Sequence, residues 1–101
     1  MMTLTKQENG NELIIVLEGR LDTTTAPQVE TEVNAIPDSV NSLVFDFEKL
    51  EYISSAGLRV LLSAQKLMNK QGNMVIRNVS ESIVEVFDIT GFSDILTVEN
   101  N

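Results

Sequence analysis

Ser54-Ser55-Ala56-Gly57 stands directly ahead of Leu58, where apolar residues at helical spacing begin. Two hydroxyls and a glycine at the start of a helix are displayed where backbone can approach a partner closely and where free amides attract anions. A serine here also has a plainer task, because Ser is among the favoured helix N-caps. The two roles are compatible. A nucleophilic serine needs a base, and the 101-residue chain has neither His nor Cys. That argues against Ser-His catalysis and removes thiol nucleophiles, disulfides, and thiolate or imidazole metal sites. What the serines retain is availability for modification. Asp22, Asp46 and Glu48 are carboxylates that one end of a sheet would gather to hold a divalent cation through oxygen. Scattered as they are, they read as solvated charges at strand ends and turns, so no metal, cofactor or catalytic residue is assigned. The glycines at 10, 19, 57, 72 and 91 fit neither a phosphate-cradling loop nor a dinucleotide fingerprint.

The elements that must position Ser54 and Ser55 follow from the apolar pattern. Leu13 to Leu17 is a β-rich run, and Asn9-Gly10 before it predicts a hairpin with a segment around Thr3 to Lys6. Thr25 and Gln28 have capping-box spacing, and Ala26, Val29, Val33 and Ile36 share one helical face that stops at Pro37. Leu43 to Phe47 predicts a buried strand. Leu58, Leu61, Leu62 and Met68, widened by Val60, Ala64 and Leu67, predict a long helix closed by Gly72, with Arg59, Ser63, Lys66 and Lys70 on its opposite face. Met74 to Ile76 predicts a strand. Ser80 caps a third helix carrying Ile83, Val84 and Phe87, Gly91 ends it, and Ile95 to Val98 predicts a last strand.

The order ββαβαβαβ, with long helices between strands, predicts an α/β fold with a mixed, mostly parallel sheet built from right-handed crossovers. In such sheets function gathers at the carboxyl ends of strands, here the loops Gly19 to Thr25 and Leu50 to Gly57. One domain is expected over residues 1–101, ending in a polar tail at Asn100 and Asn101. A chain of this length buries roughly two thirds of its unfolded surface, enough for a core without staples.

Seven basic and fifteen acidic residues leave a net charge of −8, which repels nucleic acid and anionic lipid surfaces, so neither is expected as a partner. The start of the chain lacks an apolar leader, and the strongest apolar run, Leu13 to Leu17, is far too short to span a bilayer. The expectation is a soluble, cytoplasmic protein. The charges are unevenly spread: between Tyr52 and Ser80 there is no acidic residue, and Arg59, Lys66, Lys70 and Arg77 give that stretch +4 against −12 elsewhere. The basic stripe on the long helix reads as a solvated face or as half of an electrostatically steered protein contact through Arg59 and Lys66.

Three segments carry a resemblance. "LEGRLDTTTAPQVETEV", "LVFDFEKLEYISSAGLRVLL" and "GNMVIRNVSESIVEVFDITGFSDIL", in this order, resemble the STAS domain of bacterial anti-sigma factor antagonists over nearly the entire chain. The resemblance implies a binding module, not an enzyme. In that family the unmodified antagonist captures an anti-sigma factor that is also a serine kinase, freeing a sigma factor. Phosphorylation by that kinase, with its own ATP, ends the complex, and a PP2C-type phosphatase restores it. By the resemblance the phosphorylated serine falls on Ser55, and Asp22 falls on a loop aspartate beside the binding surface. Ser54 stands where the family usually has Asp, and Ala56 where it usually has a hydroxyl residue, which leaves Ser54 as an alternative acceptor. The expected partner surface comprises Asp22, Thr23, Ser54, Ser55, Ala56, Gly57, Arg59 and Lys66. STAS domains also serve anion transporters and lipid-transport systems, and an accessory subunit of an ABC-type lipid transport system is the alternative.

Overall fold

Alternate residues of the central strands go to one side: Leu13, Ile15 and Leu17, then Leu43, Phe45 and Phe47, then Met74 and Ile76 are all buried. In the computed structural model, which describes residues 2–99, these positions lie on β2 (Glu12–Leu21), β3 (Ser42–Ile53) and β4 (Asn73–Arg77). β1 (Met2–Asn9) precedes them, and β5 (Val98–Glu99) follows. The helices are α1 (Ala26–Asn34), α2 (Ser55–Gln71) and α3 (Glu81–Thr90), the last followed by a 3₁₀ turn at Phe92–Asp94. The expected polar tail at Asn100 and Asn101 lies outside the described residues.

The sheet runs β1-β2-β3-β4-β5, antiparallel between β1 and β2 and parallel elsewhere. Each crossover steps one strand in the same direction, so right-handed connections lay all three helices on the same face. Val29 and Val33 of α1, Leu58, Leu61, Ala64 and Met68 of α2, and Ile83 and Phe87 of α3 form one cluster with the inward strand residues. Each of these side chains larger than alanine contributes about 1.5 to 3 kcal/mol by leaving water. The other face carries Ile14, Val44 and Val75 in register, outside that cluster.

The expected order and sheet type are as observed, with local corrections. The hairpin loop is Gly10-Asn11, because Asn9 still pairs with Glu12, and Gly10 takes φ +60 at the first central position, which glycine tolerates. α1 ends at Asn34, before Pro37. Leu62 is only half-buried on α2, whereas Gln65 is buried and donates to Asn69 Oδ1 (2.9 Å). The last strand is confined to Val98–Glu99, because the chain makes the 3₁₀ turn first and leaves Ile95 exposed.

The largest correction concerns the loop expected from Leu50 to Gly57. β3 continues to Ile53 and α2 begins at Ser55, three residues before Leu58. Two register shifts against β2 each place an extra residue on β3. Inward positions then fall at Phe47, Leu50 and Ile53, three apart, so the period of two is lost while the strand persists.

Gly72 closes α2 as expected, but by space instead of a left-handed turn. Its φ of 169 is extended, and a Cβ there would sit 1.9 Å from the Asn41 carbonyl oxygen. Asn73 N donates to that same carbonyl (3.0 Å), and the Gln71 side chain donates to the carbonyls of Pro37 and Val40. The end of α2 thereby ties down the connection from α1 to β3.

Candidate partner-binding site at the ends of β2 and β3

Leu21 and Ile53 are register partners at the carboxyl ends of their strands, and Ser54 N donates to Leu21 O (2.9 Å). That bond sets the turn after β2 beside the start of α2, so Asp22 and Ser54-Ser55 belong to one end of the sheet. Asp22 organises the turn: its Oδ1 accepts from Thr24 N (3.0 Å), Thr24 Oγ1 (2.8 Å) and Thr25 N (3.2 Å). These bonds, the Thr24 hydroxyl foremost, hold its carboxyl below the usual aspartate range. The expected capping box is absent. Thr25 is buried, and its hydroxyl, turned to the end of β2, donates to Arg20 O (2.8 Å) and accepts from Asp22 N (2.8 Å) and makes no cap bond to the helix amides. Arg20 lies 4.2 Å over the Tyr52 ring and reaches Asp22 at 3.8 Å.

On the facing side, Ser54 occupies the N-cap position with extended backbone, but its hydroxyl caps nothing and is buried without a partner among the described residues. Ser55 is exposed at the first helical position. The first intrahelical bond of α2 runs from Leu58 N to Ser54 O (3.0 Å), so the amides of Ser55, Ala56 and Gly57 find no acceptor among the described residues. Gly57 is buried, and a Cβ there would meet Leu21 Cγ at 2.7 Å and Ile53 Cγ1 at 2.8 Å. The glycine lets the first turn of α2 rest directly on both strand ends.

Ser54→Ala is therefore expected to leave thermal stability within about 0.5 kcal/mol, since an unpartnered buried hydroxyl contributes nothing to lose. A working Ser cap would cost about 1 kcal/mol on the same change. A melting curve separates the two, and a drop of several degrees for Ser54→Ala would show that the hydroxyl does cap.

Between α1 and α2 an open groove of about 360 Å³ is lined by Thr23, Ala26, Pro27 and Glu30 on one side and Ala56, Arg59, Val60 and Ser63 on the other. Of the expected surface residues, Thr23, Ala56 and Arg59 thus border one groove beside Ser55. Lys66 is exposed two turns further along α2, about 10 Å from Arg59 along the axis. Asp46 and Glu48 do not join this site: Asp46 Oδ1 accepts from Glu48 N (3.1 Å) and Asn78 Nδ2 (3.2 Å). Among the described residues no group of three or more metal-ligating side chains forms. Ser63 was expected on the exposed face of α2 with Arg59 and Lys66, whereas Arg20, Tyr52, Pro27 and Glu30 were not anticipated as part of the site. Glu30 has a helical spacing that could have found it, whereas the Arg20–Tyr52 contact depends on a bulged register.

A model of the STAS domain matches residues 3–101. The chain belongs to the STAS-domain family. Similar to this STAS chain are BtrV of Bordetella bronchiseptica, by name a candidate anti-sigma factor antagonist, at 40% identity over 99% of this chain and 88% of that protein, and the anti-sigma-B factor antagonist of Listeria monocytogenes, at 32% identity over 94% and 85%. Among solved structures, the anti-sigma factor antagonist SpoIIAA in its unphosphorylated form superposes with a TM-score of 0.79 at 18% identity, covering 98% of this chain and 89% of that one. The phosphorylated form of SpoIIAA, from Bacillus, gives 0.76 at 19%, covering 96% and 91%. These superpositions show that the STAS fold is shared. No helix among the described residues is long and apolar enough to cross a membrane.

Proposed function

We propose that this STAS chain is a cytoplasmic anti-sigma factor antagonist. Unmodified, it binds an anti-sigma factor that is also a serine kinase and thereby releases a sigma factor. Phosphorylation of Ser55 ends the complex, and a PP2C-type phosphatase restores it. The role is regulatory, with the kinase supplying the ATP and the chemistry. The observation that carries the reading is the exposed Ser55 hydroxyl at the uncapped start of α2, beside the Asp22 turn and at the mouth of the α1–α2 groove. Its support from relatives is the name shared by proteins alike over most of their length. Asp22, Thr23, Ser54, Ala56, Gly57, Arg59 and Lys66 are assigned to the surrounding contact surface. Burial of Ser54 Oγ favours Ser55 as the acceptor.

Incubation with the anti-sigma kinase of the same organism and MgATP is expected to label Ser55, read by mass spectrometry of peptides. Ser55→Ala should abolish the label. Undiminished incorporation in that variant, mapped to Ser54, would overturn the assignment, and failure of the unmodified chain to bind the kinase would overturn the function.

A further inference from the structure

The three helices leave one face of the sheet to itself. That face carries Ile14, Val44 and Val75 in register on β2, β3 and β4, with Val16 beside them. Uncharged side chains frame the stripe: Gln7 pairs with Ile14, Thr5 with Val16, and Ser42 with Asn73. The next row along the strands holds Asp46, Arg77 and Glu99 in register. Arg77 is half-buried between two carboxylates, yet it forms an ion pair with neither, and its Nε is buried without a hydrogen-bond partner among the described residues. Asp46 is engaged through Oδ1, which accepts from Glu48 N and Asn78 Nδ2, while its second oxygen has no partner among the described residues. A cation and a carboxylate oxygen are thus left open side by side, next to an apolar stripe.

We infer that this open sheet face is a contact between two copies of the chain. A two-fold axis running along the strands, between β3 and β4, lays β3 of one copy over β4 of the other at the same height. Val44 then meets Val75 of the second copy, Asp46 meets its Arg77, and each contact occurs twice. The face is complementary to itself in charge and in apolar character. Four strands about 4.8 Å apart, with a rise of about 3.3 Å per residue over five residues, overlap across roughly 20 by 17 Å, so the pair buries less than the ~1,200 Å² of a stable complex. Each copy also has a net charge of −8. The dimer is therefore weak and concentration-dependent, and it leaves the helix face of both copies free.

Sedimentation equilibrium of the unmodified protein from about 10 μM to about 1 mM tests this, at about 0.15 M salt, where net-charge repulsion is screened beyond about 8 Å. The average mass is expected to rise from that of one chain toward that of two. Val75→Thr keeps the side-chain shape and the strand preference but buries a hydroxyl at the contact twice over. Arg77→Glu sets like charges against Asp46. Each variant is expected to weaken dimerisation about tenfold or more, with a circular dichroism melt within a few degrees of the unmodified protein. The mass of a single chain at every concentration overturns the inference, and so does a dimer that either variant leaves unweakened, for its contact then lies elsewhere. The result stands apart from the antagonist reading, since neither substitution touches the α2 side.

Discussion

Phosphorylated at Ser55, the protein is expected to bind its kinase partner about a hundredfold more weakly or worse while melting within a few degrees of the unmodified chain. The phosphate adds about −1.5 to −2 charges at neutral pH. Within the free protein that charge meets the unpaired amides of Ser55, Ala56 and Gly57, and Arg59 lies one helical turn on. A helix N-terminus favours an anion by about 0.3 to 1 kcal/mol, so the fold accommodates the group. Docking is different, since Ser55 is exposed and a partner shaped to a neutral hydroxyl must strip water from the dianion. A shortfall of about 3 kcal/mol there is already more than a hundredfold in affinity. Circular dichroism melts and titrations at matched nucleotide concentration read the two halves separately. Collapse of the melt would mean that the phosphate acts by unfolding, and unchanged affinity would mean that it is no switch.

Gly72→Ala is expected to cost about 3 kcal/mol, a fall of roughly 15 °C in melting temperature for a domain of this size. The obstacle is backbone: the new methyl would lie 1.9 Å from Asn41 O and 2.7 Å from Asn41 Cα, so no rotamer relieves it. Moving Asn41 also strains its bond from Asn73 N and the Gln71 contacts with Pro37 and Val40. Gly91 is the control, for it ends α3 at φ +81 with open space around its Cβ position, and alanine there costs only the left-handed conformation, about 1 kcal/mol. If the two substitutions melt alike, close packing is not what Gly72 provides.

Much of this architecture was legible because the apolar residues keep a clean period. Leu13 to Leu17 and Leu43 to Phe47 lie within strands, the stripe from Leu58 to Met68 is a helix, and Ser80 and Gly91 bracket α3 with a serine cap and a left-handed glycine. What escaped reading depends on contacts between distant segments. Leu50 and Ile53 look like a loop because two bulges against β2 stretch the spacing of inward positions beyond Phe47 to three. Thr25 has the right spacing for a capping box, yet its hydroxyl is turned to the end of β2, where it donates to Arg20 O and accepts from Asp22 N, contacts that exist only once β2 ends where it does. The serine turn could be picked out in the sequence, but which serine is exposed depends on how Gly57 seats α2 against Leu21 and Ile53.

Only Ser54 separates the end of β3 from the start of α2, so Ser55 has no flexible arm on which to reach an enzyme. On the proposed reading, a kinase or phosphatase must fit a completed tertiary surface, in which Asp22 and Ser55 are neighbours only because Leu21 pairs with Ile53. A nascent or unfolded copy carries the same four letters around Ser55 but not that surface. The signal is then written on and read from finished molecules alone, and the tally of phosphorylated chains is a census of correctly folded ones.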